Sequence, residues 1–180
     1  IDLTLRQQAE GAVVIDGRSA ELFASGHLRG AINVGLDGRF AEYAGDVLRP
    51  GQTVILITDP GRENEARIRL ARIGFDHVIG ALHDIDRVLV DHPELAEQAP
   101  RVTASEVEQR RLAEPDLQIV DVRNPGEVEA GAIDGAINLP LDVLKKDSAA
   151  VIEKYAIPKT STVVFYCAGR ECTRSADPAD

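Results

Sequence analysis

The chain of 180 residues contains no tryptophan and no methionine, and its aromatic residues are few. A packed core must therefore consist mainly of Val, Ile, Leu and Ala side chains. Two cysteines are too few for a disulfide framework in a chain of this length, so we expect a reducing, cytoplasmic location. No apolar stretch approaches the roughly 20 residues of a membrane span, and no signal peptide is evident, so we expect no membrane partner.

The charged and metal-binding residues exclude further classes of protein. The formal net charge is −10, which argues against nucleic acid and anionic membrane surfaces as partners. An anionic substrate would therefore need a local positive pocket. The histidines lack the spacing of metal ligands, so we expect no metal and no cofactor; they are His27, His77, His83 and His92.

Two parts of the chain repeat each other at a constant offset of 105 positions, without a gap. The matching residues are Asp16 and Asp121, Arg18 and Arg123, Gly26 and Gly131, and the Gly-Ala-Ile-Asn runs 30–33 and 135–138. This repetition predicts two copies of one unit. We place the domains at 1–99 and 101–180, with Pro100 as the linker and a capping box at Thr103 and Glu106 opening the second.

Strands alternate with helices in each copy, which predicts an α/β fold with a short parallel sheet flanked by helices in each domain. The predicted strands are 12–16, 30–33, 54–57, 78–79, 118–122, 135–138 and 163–166. The predicted helices are 20–25, 37–47, 62–73, 83–98, 125–130 and 142–155. In the helix 62–73, Ala66, Leu70 and Ile73 share an apolar face, and Gly74 ends the helix.

The second copy is shorter than the first. Copy one continues to residue 98 beyond its central strand 54–57, whereas copy two has only 13 residues after Cys167. We therefore expect the second domain to be C-terminally truncated. The apolar surface exposed in this way would be covered by a partner or by self-association into a homo-oligomer.

The strand 163–166 ends abruptly at Cys167. A buried parallel strand would deliver this cysteine to the carboxyl edge of the sheet, where open α/β folds bind ligands. Loop N–H groups and nearby cations would lower the pKa of the thiol and make it a nucleophile. The alternative is that Cys167 is a small buried hydrophobic residue at a strand end.

These motifs resemble the rhodanese (thiosulfate sulfurtransferase) family, whose pattern is Asp-x-Arg, then Gly-His-Ile-x-Gly-Ala-Ile-Asn, then Tyr-Cys-x-x-Gly-x-Arg-Ser. Copy one matches at Asp16, Arg18 and 26–33, which includes His27; copy two matches at Asp121, Arg123, Glu127, Gly131, 135–138, Tyr166 and Cys167. The arrangement is similar to the C-terminal part of bacterial fusions that carry a metallo-β-lactamase-like persulfide dioxygenase domain in front. That resemblance implies an N-terminal enzyme domain missing from this chain.

The resemblance implies that Cys167 takes sulfane sulfur from thiosulfate or a persulfide and passes it to a thiol or to cyanide. It implies substrate binding by the loop residues Ala168, Gly169, Arg170 and Arg174. Aligning Thr53 with Thr162 places Thr58 opposite Cys167, with Asp59 beside it, so we expect copy one to be inactive. Cys172 stands where the family has an arginine, so we expect this chain to have low activity as it stands.

Several motif residues have a structural interpretation beside the functional one. We favour a structural role for His27 and for an ion pair at Asp16 and Arg18 and its repeat, because both copies keep the pair and only one keeps a cysteine. Arg170 and Arg174 are either pocket residues or exposed charges. Cys172 is either a resolving thiol or an incidental cysteine, and we favour the latter.

Three functions therefore remain open. The first is a sulfurtransferase acting through Cys167. The second is a non-catalytic binding or regulatory module. The third, an oxyanion-binding phosphatase or arsenate reductase, ranks last because Cys172 replaces the arginine that such an enzyme needs.

Overall fold

The structure is a computed structural model that describes residues 1–140, 143, 155 and 161–167. The chain divides into two compact units, Ile1–Pro100 (unit 1) and Arg101–Asp180 (unit 2). Both units are α/β with parallel sheets and flanking helices, which confirms the predicted fold class. Among the described residues, no helix is both long and apolar enough to cross a bilayer.

Unit 1 is built on a four-stranded parallel sheet of order β3-β1-β4-β5, with a separate antiparallel pair β2-β6. Its helices are α1 (Asp2–Ala9), α2 (Ala20–Ser25), α3 (Phe40–Val47), α4 (Glu63–Ala71) and α5 (Ile85–Asp91). Its strands are β1 (Val13–Asp16), β2 (His27–Leu28), β3 (Ile32–Asn33), β4 (Val54–Ile57), β5 (Val78–Ala81) and β6 (Ala96–Glu97).

The central strand β4 is buried along its whole length because apolar clusters cover both faces of the sheet. One cluster includes Leu56 with Leu70 of α4. The other includes Ile55 with Ile85 of α5. This double cover explains the uninterrupted β-branched and leucine sequence of β4, since a strand buried on both faces has no polar side.

Unit 2 contains the helices α6 (Ala104–Ala113) and α7 (Pro125–Val128) and the strands β7 (Gln118–Asp121), β8 (Ile137–Asn138) and β9 (Val163–Tyr166). The strands form a parallel sheet of order β8-β7-β9. The predicted capping box is confirmed at the start of α6. The Thr103 N–H donates to Glu106 Oε2 at 2.6 Å, and the Glu106 N–H donates to Thr103 Oγ1 at 3.2 Å. The predicted helix 142–155 lies outside the described residues except for 143 and 155.

The predicted closing helix 83–98 is wrong in its second half. Helix α5 ends at Asp91, a 3-10 turn occupies Pro93–Leu95, and β6 follows. Proline has no backbone N–H to donate and clashes with the preceding helical turn, so the α-helix cannot continue through Pro93. The chain instead returns to pair β6 with β2 in the antiparallel sense.

The predicted apolar face of the helix 62–73 is wrong at its last member. Ala66 and Leu70 are buried, but Ile73 is 40% exposed because α4 already ends at Ala71. Gly74 follows with φ +85°, a left-handed conformation that glycine adopts without a steric penalty. The chain reversal brings Phe75 into the core instead.

Candidate active site

Cys167 lies at the carboxyl edge of the unit 2 sheet, directly after β9. Strand β9 runs parallel to β7, with Tyr166 paired to Asp121. The Val122 N–H donates to the Tyr166 carbonyl oxygen at 3.0 Å, so the pairing holds the backbone up to the residue before the cysteine. Cys167 itself is half-buried. The structure therefore places it where the sequence predicts a ligand-binding edge.

Strand pairing identifies the residue that stands in the same place in unit 1. Val13 pairs with Val54, and Gln118, its repeat at the offset of 105, pairs with Val163. Counting forward from β4 and β9 then places Thr58 at the position of Cys167. This is the correspondence predicted from the alignment of the two threonines.

The loop after β4 uses its polar groups internally. The Thr58 hydroxyl donates to the Asp59 carbonyl oxygen at 2.9 Å, and the Gly61 N–H donates to Glu63 Oε1 at 3.3 Å. The pKa of the Glu63 carboxyl is lowered, mainly because the carboxylate accepts a hydrogen bond from the Glu63 backbone N–H. The Gly61 N–H and the nearby His83 lower this pKa further, and together they outweigh the opposing effect of desolvation. The Gly61 N–H of this loop is therefore already bonded to a carboxylate of the protein.

A buried ion pair between Asp16 and Arg18 lies at the end of β1 and, with the Asn33 side chain, forms a hydrogen-bonded cluster that we call the bracket. The Asp16 carboxylate accepts hydrogen bonds from the Arg18 backbone N–H at 3.0 Å and from Arg18 Nη2 at 2.7 Å. Arg18 Nη2 also donates to the Gly26 carbonyl oxygen at 3.0 Å. The Asn33 side chain donates to the carbonyl oxygens of Asp16 and Arg18 at 2.9 and 3.0 Å. Both members of the pair are buried.

The same bracket recurs at the end of β7. Asp121 accepts from the Arg123 N–H at 3.0 Å and from Arg123 Nη2 at 2.6 Å, and Nη2 reaches the Gly131 carbonyl oxygen at 2.8 Å. Asn138 donates to the carbonyl oxygens of Asp121 and Arg123. Burial raises the pKa of the Asp121 carboxyl, but the hydrogen bonds and charge of Arg123 and the bond from Tyr166 outweigh it and hold that pKa below its usual value.

The brackets tie backbone segments together. Each arginine links its own strand end to a glycine carbonyl in the following loop, and each asparagine joins the neighbouring strand to the same turn. Because these groups satisfy one another, the geometry favours the structural interpretation of Asp16, Arg18, Asp121 and Arg123.

His27 is held inside unit 1 by its neighbours. Its Nδ1 lies 2.8 Å from the Phe23 carbonyl oxygen, and its ring stacks on the Phe23 ring at 3.7 Å between centroids. Its Nε2 lies 4.0 Å from Glu97 of β6. The side chain is buried and its contacts are those of a packing residue.

Glu127 also has a local structural contact. Its Oε2 accepts the Asn124 backbone N–H at 3.2 Å and so completes a capping box at the start of α7. The predicted substrate-binding residues Ala168, Gly169, Arg170 and Arg174 lie outside the described residues, as does Cys172. Among the residues that are described, no group of three or more potential metal ligands comes together.

Tyr166 is a site residue for which the sequence analysis gave a match to the family motif but no role. Its hydroxyl oxygen accepts the Ile133 N–H at 3.0 Å, and the Arg123 Cζ lies 5.4 Å from the centre of its ring. Burial and the nearby Asp121 carboxylate raise the pKa of Tyr166. The available signal was a tyrosine in a strand of otherwise apolar residues, since a buried tyrosine hydroxyl usually has a hydrogen-bond partner.

Comparison with known proteins identifies the same repeat. The family model for the Rhodanese-like domain matches residues 2–83 and again 103–179. The tRNA uridine(34) hydroxylase of Escherichia coli (strain K12 / DH10B) is 28% identical over 89 residues, which cover 47% of this chain and 25% of that protein. The chain thus spans only a quarter of the length of the curated relatives that it matches.

Solved structures resemble the chain in part. The thiosulfate sulfurtransferase from Pseudomonas aeruginosa is 22% identical, with 89% of this chain and 33% of that chain covered and a TM-score of 0.43. A rhodanese with anions from E. coli is 32% identical, covering 42% of this chain and 92% of that chain, with a TM-score of 0.35.

Proposed function

The chain belongs to the rhodanese-like domain family, and from this premise we propose that its second unit is a sulfurtransferase domain that carries sulfane sulfur on Cys167. One observation carries the proposal: Cys167 directly follows the strand β9, at the carboxyl edge of a parallel sheet. Thr58 stands at the same place in unit 1, so of the two equivalent positions only that of unit 2 holds a sulfur nucleophile.

The proposed reaction has two steps. The Cys167 thiolate attacks the outer sulfur of thiosulfate, so a new S–S bond forms while the S–S bond of thiosulfate breaks and its electron pair leaves with sulfite. The product is a Cys167 persulfide. An acceptor thiolate then attacks the outer sulfur of that persulfide, takes it as its own persulfide, and returns Cys167 as a thiolate.

The substrate class follows from this chemistry. The donor is a small sulfur-containing anion or a low-molecular-weight persulfide, and the acceptor is a thiol or cyanide. Backbone N–H groups after Cys167, with Arg170 and Arg174, are proposed to hold the anion. A front metallo-β-lactamase-like domain and a cytoplasmic location remain predictions from the sequence.

A second function, that of a non-catalytic module, is proposed for unit 1. The Thr58 hydroxyl cannot carry sulfane sulfur, and the Asp59 carboxylate beside it would repel an anionic donor. The Gly61 N–H is already engaged by Glu63. We therefore expect unit 1 to contribute stability or docking to the protein.

The intact mass of the chain after incubation with thiosulfate tests the proposal. We expect wild type to gain about 32 Da, the mass of one sulfur atom, because the persulfide forms without loss of protein atoms. The gain should disappear in Cys167→Ala and persist in Thr58→Ala and Cys172→Ala, which serve as matched controls. No gain on a wild-type chain shown to be folded would contradict the proposal and favour the non-catalytic module.

A further inference from the structure

Tyr166, the residue immediately before Cys167, is anchored through three different groups. Its carbonyl oxygen accepts the Val122 N–H at 3.0 Å, which is the expected pairing of a parallel strand end. Its hydroxyl oxygen accepts the Ile133 N–H at 3.0 Å. Its ring lies under the Arg123 guanidinium, with 5.4 Å between Cζ and the ring centre. The end of β9 is therefore held through both the backbone and the side chain of its last residue.

The two units contact the segment at Leu28 and at Ile133 in different ways. Ile133 corresponds to Leu28 of unit 1 at the offset of 105, and Leu28 belongs to β2, which pairs with β6. In the described part of unit 2, no strand pairs with the segment 132–133. The Tyr166 hydroxyl accepts the Ile133 N–H of this segment. Ile57, which occupies the Tyr166 position in unit 1, has no polar group that could do so.

The contacts of Tyr166 connect the strand of the cysteine to the bracket of unit 2. From β9, the hydroxyl reaches the loop at Ile133. The same loop is tied at the Gly131 carbonyl oxygen to Arg123, and Arg123 is tied to Asp121 on β7. The loop between α7 and β8 is therefore bonded to residues of both β7 and β9.

The pleat of the strand separates this anchor from the reacting group. Successive side chains of a strand point to opposite faces, and Tyr166 packs in the apolar cluster that contains Val164 and Ile133. Cys167 is the next residue along the chain. The alternation therefore lets the Tyr166 side chain fix the backbone from one face while the Cys167 side chain points the other way.

We propose that Tyr166 is a positioning residue for Cys167: its hydroxyl holds the end of β9 so that the thiol keeps one orientation at the carboxyl edge. The expected effect on the rate of persulfide formation rests on the proposed sulfur transfer. The expected effect on the orientation of the thiol does not. Because burial raises the pKa of Tyr166, its hydroxyl keeps its proton at neutral pH. Orientation of a nucleophile matters because small displacements lower reaction rates strongly.

Two variants and one control test this role. Tyr166→Phe keeps the ring under Arg123 and removes only the hydroxyl, and Tyr166→Ile introduces the residue of unit 1. Phe165→Leu changes the neighbouring residue, whose side chain points away from Ile133. Thermal melts first establish that each variant is folded.

The first measurement is the rate of persulfide formation in a single turnover at increasing thiosulfate concentration. For Tyr166→Phe we expect the saturating rate to fall roughly three- to tenfold with the half-saturating concentration unchanged, because the hydroxyl positions the thiol and does not touch the substrate. The saturating rate should fall further in Tyr166→Ile, and that of Phe165→Leu should equal the wild-type rate.

The second measurement does not depend on sulfur transfer. The three-bond Hα–Hβ couplings of Cys167, measured by NMR on chain labelled at cysteine, should indicate one rotamer in wild type and in Phe165→Leu but averaged rotamers in Tyr166→Phe. Unchanged couplings in a folded Tyr166→Phe chain would overturn the positioning role. If wild type forms no persulfide, the proposed function fails and the couplings still decide the role of Tyr166.

Discussion

At the scale of single residues, the two brackets show the same hydrogen bonds in different surroundings. The side chain of Arg18 is 4% exposed and also reaches Asp86, whereas that of Arg123 is 16% exposed and lies over the Tyr166 ring. In both units the carboxylate is fully buried. Loss of that carboxylate would leave an arginine without its charged partner, which is more costly than loss of the pair would be.

For Asp121→Asn we expect a loss of about 2 kcal/mol in the free energy of unfolding of unit 2 near neutral pH, because charged hydrogen bonds to Arg123 disappear. Since the folded-state pKa of Asp121 is below its usual value, the stabilisation is complete above about pH 3.9, the usual carboxyl pKa, and is lost as the pH falls through the folded-state pKa. The difference in the free energy of unfolding between wild type and variant should therefore become smaller in acid.

Urea unfolding followed by tyrosine fluorescence across this pH range measures this difference. Because the asparagine side chain does not titrate, the variant is the reference against which the pH dependence of the wild type is measured. A difference that stays constant down to the lowest pH, or widens there, would contradict the assigned direction of the pKa shift.

At the scale of elements, β4 and β9 occupy the same place in their sheets but differ in cover. Leu56 and Phe165 stand at equivalent positions, since each pairs with the third residue of its neighbouring strand. Leu56 is 2% exposed within a cluster that includes residues of α4 and β5, whereas Phe165 is 53% exposed. The stabilising contribution of the two side chains should differ accordingly.

We expect Leu56→Ala to lower the free energy of unfolding of unit 1 by about 3 kcal/mol, because it leaves a cavity in a packed cluster. Phe165→Ala should lower that of unit 2 by less than about 1 kcal/mol, since the side chain is already in contact with solvent. Amide hydrogen exchange, assigned separately to β4 and β9, measures both effects. An equally large loss for Phe165→Ala would mean that this side chain is covered in solution.

The strands that carry the site were predictable from the sequence because their signal is local. Runs of β-branched and aromatic residues define 54–57 and 163–166, and both boundaries agree with the structure. The end of α5 was also encoded locally, in Pro93, and the predicted helix 83–98 ran through that proline. Ile73 was misassigned because the helix ends two residues before it.

Other features depend on contacts between residues far apart along the chain. The two-residue strand β6 exists because β2 offers it a backbone partner, and neither segment has a strand pattern of its own. The proposed role of Tyr166 depends on the Ile133 N–H, which lies 33 positions earlier in the chain. The resemblance to a family located Cys167 without indicating this second anchor.

At the scale of the whole molecule, the net charge of −10 opposes the approach of an anionic sulfur donor. Salt screens this repulsion: the Debye length falls from about 30 Å at 0.01 M to about 8 Å at 0.15 M ionic strength. The rate of Cys167 persulfide formation at low thiosulfate concentration should therefore rise roughly two- to threefold over this range.

Alkylation of Cys167 by iodoacetamide is the matched control, because this reagent is neutral and its approach should not depend on salt. The two rates are measured on the same chain by mass spectrometry. A thiosulfate rate that falls with added salt would instead mean that a positive pocket at the site dominates over the charge of the molecule.

The position of the bracket has a consequence for how each repeat unit can be redesigned. The bracket lies at the ends of β1 and β7, while Cys167, the proposed nucleophile, and its equivalent Thr58 follow the adjacent strands β9 and β4. The residues that stabilise the loop and the residue proposed to react thus belong to neighbouring but separate strands. A repeat unit can therefore keep its architecture whichever residue follows the strand, and Thr58→Cys is the single change that would place a thiol at the equivalent position of unit 1.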